Sequence, residues 1–168
     1  MSEEKQRLVV DTSVCIDLFN GRIVSETVRL PYDFLLPDVI LVEELKEPSG
    51  EELIRRGFIA AGTTGEEMRT VEELSKKYGR PSRNDLFALT IAKVRGLTLL
   101  GGDKDLRNSA RREGVAVHGT IWILDRLIAE SNIIDEIAAD ALERIMSSGA
   151  RLPRKECTDR LRKWRMPN

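Results

Sequence analysis

Hydrophobic positions along the chain fall into short apolar runs separated by longer stretches with helical spacing. Leu8-Val9-Val10 predicts a first strand, and the residues from Thr12 to Asn20 predict a helix that stops at Gly21. Residues 31–36 read as a loop. Pro37 suits a helix start, and that helix runs to about Lys46 before Pro48 ends it. Glu51–Arg56 predicts a short helix and Phe58–Ala61 a second strand. Thr64 and Glu67 have capping-box spacing ahead of a helix carrying Met68, Val71, Leu74 and Tyr78. Gly79 and Pro81 break the chain before a helix from about Arg83 to Arg95. Leu97–Leu100 predicts a third strand, Lys104–Glu113 a helix, Val115–Val117 a fourth strand and Thr120–Glu130 another helix. From Ile133 the chain turns wholly helical, to about Ser148, with a turn at Gly149 and an amphipathic segment from Pro153 to Trp164.

Strands that alternate with helices imply parallel pairing through right-handed crossovers, hence a three-layer α/β fold. The expected organisation is a domain over residues 1–131 and a helical extension over residues 132–168. Composition agrees: 168 residues with 41% hydrophobic and 33% charged side chains describe a globular chain. The charged start MSEEKQR leads directly into the first strand, so no signal peptide is expected. Two cysteines without metal spacing make a reducing cytoplasm the expected location, and no apolar run is long enough for a membrane span. One histidine, His118, argues against His/Cys zinc sites, and 5% aromatics argue against a base-stacking platform. Net charge is −1, yet residues 151–165 hold seven basic against two acidic side chains. That tail is compatible with nucleic-acid contact or with a solvated helix face.

Candidate chemistry rests on carboxylates. Open α/β sheets place their sites at the carboxyl ends of strands, where Asp11 and Asp103 fall. Each also precedes a helix and fits an N-cap. Asp85 shares a helix face with Ala88, Leu89 and Ala92, a costly position unless a charge or hydrogen bond meets it. It also fits a capping box with Ser82. Of the neighbouring pair Glu43 and Glu44, helical phasing puts Glu44 nearer the apolar face. Four carboxylates about 5 Å apart repel by roughly 3 kcal/mol per pair at an effective dielectric near 20. Such a pocket calls for protons or hard divalent cations, Mg²⁺ or Mn²⁺.

The segments VVDTSV (9–14), VEEL (42–45), NDLFALTIA (84–92) and LLGGDKDLRNSARREGVAVHGTIWILDRL (99–127) together resemble the PIN domains, metal-dependent nucleases of the flap-endonuclease-like superfamily. The resemblance implies a central parallel sheet flanked by helices, with Asp11, Glu44, Asp85 and Asp103 as catalytic and metal-holding acids. It implies Asp105 as an accessory acid and Ser13 as the small hydroxyl residue beside the first Asp. Gly101 departs from the pattern, which often has Thr or Ser there. The activity implied is hydrolysis of phosphodiester bonds in single-stranded RNA with Mg²⁺ or Mn²⁺. A homodimer is expected because many members dimerise. Relatives of the VapC type are toxins silenced by a neighbouring antitoxin, and the extended tail is similar to that of longer bacterial and archaeal PIN proteins. The competing readings are a non-catalytic PIN module that binds RNA or a protein partner, and a haloacid-dehalogenase-like phosphatase. The phosphatase wants a second acid where the chain has Ser13.

Overall fold

The computed structural model describes residues 3–166. Five parallel strands form one sheet: β1 (Gln6–Val10), β2 (Tyr32–Pro37), β3 (Ile59–Ala61), β4 (Thr98–Leu100) and β5 (Val117–His118). Their spatial order is β3-β2-β1-β4-β5. The chain therefore builds outward from β1 on one side, then returns to build β4 and β5 on the other. Leu8 pairs with Phe34 on one flank and with Thr98 on the other, and Val10 pairs with Leu100. Leu8, Val9 and Val10 are fully buried, as expected of a central parallel strand covered on both faces.

β2 corrects the sequence expectation of a loop over residues 31–36. Phe34, Leu35 and Leu36 are buried on both faces of the sheet, so this strand shows no alternation of apolar and polar positions. Pro31 precedes the strand and Pro37 is its last residue, paired with Ala61, so residues 32–36 keep their ladder donors. The fourth expected strand shifts to Val117–His118, which pairs with Leu99 and Leu100.

Among the described residues, ten helices surround the sheet. α1 (Thr12–Asn20) follows β1, and a short α2 (Val24–Thr27) precedes β2. α3 (Asp38–Glu43) and α4 (Gly50–Arg56) connect β2 to β3. α5 (Gly65–Lys77) opens with the expected capping box between Thr64 and Glu67. α6 (Arg83–Arg95) buries every residue from Leu86 to Ala92, because it lies against β1, β2 and β4 with α5 on its other side. Its burial is wider than the single apolar stripe read from the sequence. α7 (Lys104–Arg112) and α8 (Thr120–Ala129) flank β5 in sequence.

α9 (Asp135–Ser147) packs Ala138, Ala139, Ala141, Leu142 and Ile145 against α1 and α8. α10 (Arg154–Arg165) packs on α9 through Cys157 and Trp164, both buried. These residues join the same apolar core as the sheet, Ile145 apart. Arg160 grips Asp125 of α8 with a two-pronged hydrogen bond of 2.9 and 2.8 Å. Arg165 reaches Asp140 and Glu143 of α9 at 2.6 and 3.1 Å. Part of the basic tail therefore faces inward as a strap. Among the described residues, no helix is long and apolar enough to cross a membrane.

Candidate functional site

Strand order reverses between β1 and β4, and the crevice outside the carboxyl ends of those strands is where an open α/β sheet receives ligands. Asp11 leaves β1 at this point, and its N–H donates to Leu100 O of β4 at 3.0 Å. Its carboxylate is 1% exposed. Oδ1 accepts from Ser13 Oγ at 2.8 Å and from Val14 N at 3.1 Å, which caps α1. Ser13 Oγ in turn accepts from Gly102 N at 3.1 Å, joining the first acid to the loop after β4. A Cβ at Gly102 would lie 2.6 Å from Ser13 Oγ, so that loop can approach only as glycine.

Asp103 caps α7, accepting from Leu106 N at 2.9 Å through Oδ2. Asp85 forms the capping box of α6, accepting from Ser82 N at 2.9 Å through Oδ2. Glu44 closes the C-terminal end of α3 and accepts a short hydrogen bond from the Thr12 hydroxyl through Oε2. Glu43 is exposed, whereas Glu44 is half-buried. Asp105 is half-buried, with Arg80 at 3.9 Å. Cap and ligand, alternatives in the sequence, are compatible here. Each of the four acids commits one oxygen to local structure. Asp11 Oδ2, Glu44 Oε1, Asp85 Oδ1 and Asp103 Oδ1 take no hydrogen bond among the described residues.

The electrostatics tie the four together. Burial pushes the Asp11 carboxyl up from 3.8 to about 7, hydrogen bonds from Ser13 and Val14 oppose this, and the charges of Asp85 and Asp17 add to the rise. Asp85 is also raised, first by burial and then by the charges of Asp103 and Glu44, against the hydrogen bonds from Ser82. Asp85 thus stands between the others: its charge raises Asp11, and the charges of Asp103 and Glu44 raise it. Among the described residues, no three His, Cys, Asp or Glu side chains are drawn close enough to hold one ion. The donor set nonetheless fits a hard divalent cation: it is all carboxylate oxygen, each with a lone oxygen uncommitted, and it carries repulsion that a cation relieves.

Gly101 has a local consequence. A Cβ there would stand 3.7 Å from Asp11 Oδ2, so a Thr or Ser hydroxyl would sit beside that oxygen. Glycine leaves the oxygen open. Sequence reading missed Asp17, 7% exposed in α1, which accepts from Thr120 Oγ1 at 2.7 Å and is raised to about 6, chiefly by burial. The signal that singled out Asp85 was absent here, because the helical neighbours of Asp17 are Ser13, Val14, Asn20 and Gly21, mostly small or polar.

A family model described as PIN domain matches residues 7–166, which takes in the sheet, all four acids and the helical extension. The chain belongs to the PIN-domain family. A PilT N-terminus domain protein from the hyperthermophilic archaeon Sulfolobus solfataricus has a similar structure, with a TM-score of 0.52 and 17% identity. The match covers 73% of this chain and 93% of that one, and at this identity it speaks for the fold. No curated protein matches the sequence. PIN domains are generally nucleases and typically use divalent metal ions.

Proposed function

We propose that the protein is a Mg²⁺- or Mn²⁺-dependent endoribonuclease that hydrolyses phosphodiester bonds in single-stranded RNA. The observation that carries this reading is the arrangement of four acids from separate elements. Each has one free oxygen, and three of them are coupled electrostatically to Asp85. Asp11, Glu44, Asp85 and Asp103 would hold the metal, with Asp105 as an accessory acid at the crevice edge. Bound metal lowers the pKa of a water and offsets charge that builds on the phosphate. The chain's own residues do the positioning. Ser13 fixes Asp11 through Oδ1 and leaves Oδ2 facing the space at Gly101. Gly102 brings the β4 loop, and with it Asp103, up against Ser13. Thr12 holds Glu44 toward the crevice while Glu43 stays in solvent.

The test is cleavage of a labelled single-stranded RNA with Mn²⁺ by wild type and by Asp11→Asn. Asn keeps the cap acceptor but removes the charge, so wild type should cut and the variant should not. Equal cutting by both, or none by wild type, overturns the reading. One observation favours a second reading, a non-catalytic PIN module that binds RNA or a protein partner: at Gly101 the hydroxyl beside Asp11 is missing. Binding without wild-type cleavage would select it. A toxin role with an antitoxin partner, a homodimer and a cytoplasmic location extend the same proposal. Co-expression with the product of an adjacent small gene should relieve growth arrest if the toxin role holds.

A further inference from the structure

Beside the acids, a cleft of about 310 Å³ opens between α7, the β5–α8 turn and the start of α10. Gly102 lines it and is the same residue that donates to Ser13, so the cleft is continuous with the crevice. A wider depression of about 790 Å³ next to it shares Gly102, Arg107, Arg111, Leu152 and Pro153 and reaches Asp103. Volumes of this order accommodate a small ligand or part of a polymer chain.

Three features set the cleft's chemistry. Arg107 makes no ion pair with any described residue, and its buried Nε has no hydrogen-bond partner. With no acid paired to it, this guanidinium is left to meet an anion that enters the cleft Arg107 lines. Its Nη1 lies 3.8 Å from the position of a Cβ on Gly119, the residue that begins α8 without a side-chain cap. Arg111 is exposed one turn further along α7, with only a 3.4 Å contact to Asn108. The third feature is a flat wall. His118 stacks on Trp122 with ring centroids 4.4 Å apart and planes 4° from parallel, and both rings line the cleft. Arg160 and Asp125 at the far side neutralise each other.

We infer that this cleft is a nucleotide subsite, in which Arg107 and Arg111 take a phosphate of a nucleic-acid strand and the His118–Trp122 stack supports its base. It rests on the proposed nuclease reading for the identity of the polymer but not for the binding itself. The planar fork of Arg107 suits a phosphate, and stacking on the aromatic wall is tolerant of base identity. The subsite fixes the path of the strand. It runs from the acids past Gly102 toward the loop that joins α9 to α10, where Arg151 adds positive charge. The helical extension thereby forms one bank of the track rather than a separate arm.

Binding is measured without metal, in EDTA, by fluorescence anisotropy of a labelled oligouridine strand. Arg107→Gln should weaken binding roughly tenfold or more, as loss of a charge-assisted hydrogen bond does. Arg111→Gln should lower the salt slope by roughly 0.7, and Trp122→Leu should weaken binding about fivefold or more. Arg107 gives up no ion pair on substitution, and the exposed Arg111 serves as the second variant that keeps the test valid if the first unfolds. Unchanged binding in both arginine variants overturns the subsite, even if wild type cleaves RNA. Arginine-dependent binding without wild-type cleavage upholds the subsite and overturns the catalytic reading instead.

Discussion

Replacing Asp17 with Asn should make the protein more stable at neutral pH and less stable in acid. The Asp17 carboxyl is raised from 3.8 to about 6, chiefly because it is buried, while Thr120 donates to it at 2.7 Å. That difference corresponds to about 3 kcal/mol against the ionised form. Between pH 3.8 and about 6 the unfolded chain gives up this proton first, so it binds fewer protons than the folded protein and stability falls as pH rises. Asn removes the titration and still offers an oxygen to Thr120. Its amide N–H₂ costs roughly 1–3 kcal/mol if left unpaired in a buried position. That cost is independent of pH. The stability difference between variant and wild type should therefore move by about 3 kcal/mol in the variant's favour from about pH 3 to about pH 8. At 2–4 °C per kcal/mol for a chain of this size, the melting-temperature difference shifts by roughly 6–12 °C. Thermal melts of both proteins in EDTA at several pH values measure it, and the acid crevice, common to both, largely cancels in the difference. A difference that stays flat with pH, or runs the other way, would refute the assignment of Asp17 as a buried, burial-raised carboxyl.

Mg²⁺ or Mn²⁺ should raise the melting temperature of wild type by mass action, and Asp85→Asn should shrink that gain because it removes one of the repelling charges. The same variant without metal should match or exceed wild type. Glu43→Gln should leave RNA cleavage nearly unchanged while Glu44→Gln abolishes it, as measured by initial rates on one substrate; the opposite pattern would mean α3 presents the wrong carboxylate. Arg160→Gln should destabilise the fold by up to about 1 kcal/mol in urea unfolding, since its pair with Asp125 is about a third exposed and screened. Arg162→Gln with Lys163→Gln, both exposed, should leave the urea midpoint where it is.

Much of the architecture was legible because local signals agreed with tertiary demands. The capping residues Thr64 and Ser82 announced α5 and α6, and the structure starts both helices there. β2 was illegible for a physical reason. A strand covered on both faces loses the period of two that marks a half-buried one, and five residues between prolines look like a turn. The three aspartates were legible as positions, since each follows a strand or opens a helix, and Glu44 was legible only through the phase of its helix. Their coupling through Asp85 was not, because it depends on the reversal of strand order that sets β1 beside β4. Arg107 shows the same limit. Its sequence neighbours allow either an acid partner or a phosphate, and only the packing of α7 against the β5–α8 turn leaves it without an acid partner among the described residues.

Double duty at three of the acids bears on how such a chain could decay. Asp11, Asp85 and Asp103 each hold the start of a helix, so a lineage that abandoned hydrolysis would still be selected to keep them for folding. Glu44 begins no helix, and its one hydrogen bond is to a hydroxyl that water could satisfy. It is the acid whose replacement would be nearly silent in stability. On the proposed nuclease reading, drift away from catalysis would therefore surface first at Glu44, in a descendant with the three aspartates intact and that glutamate lost.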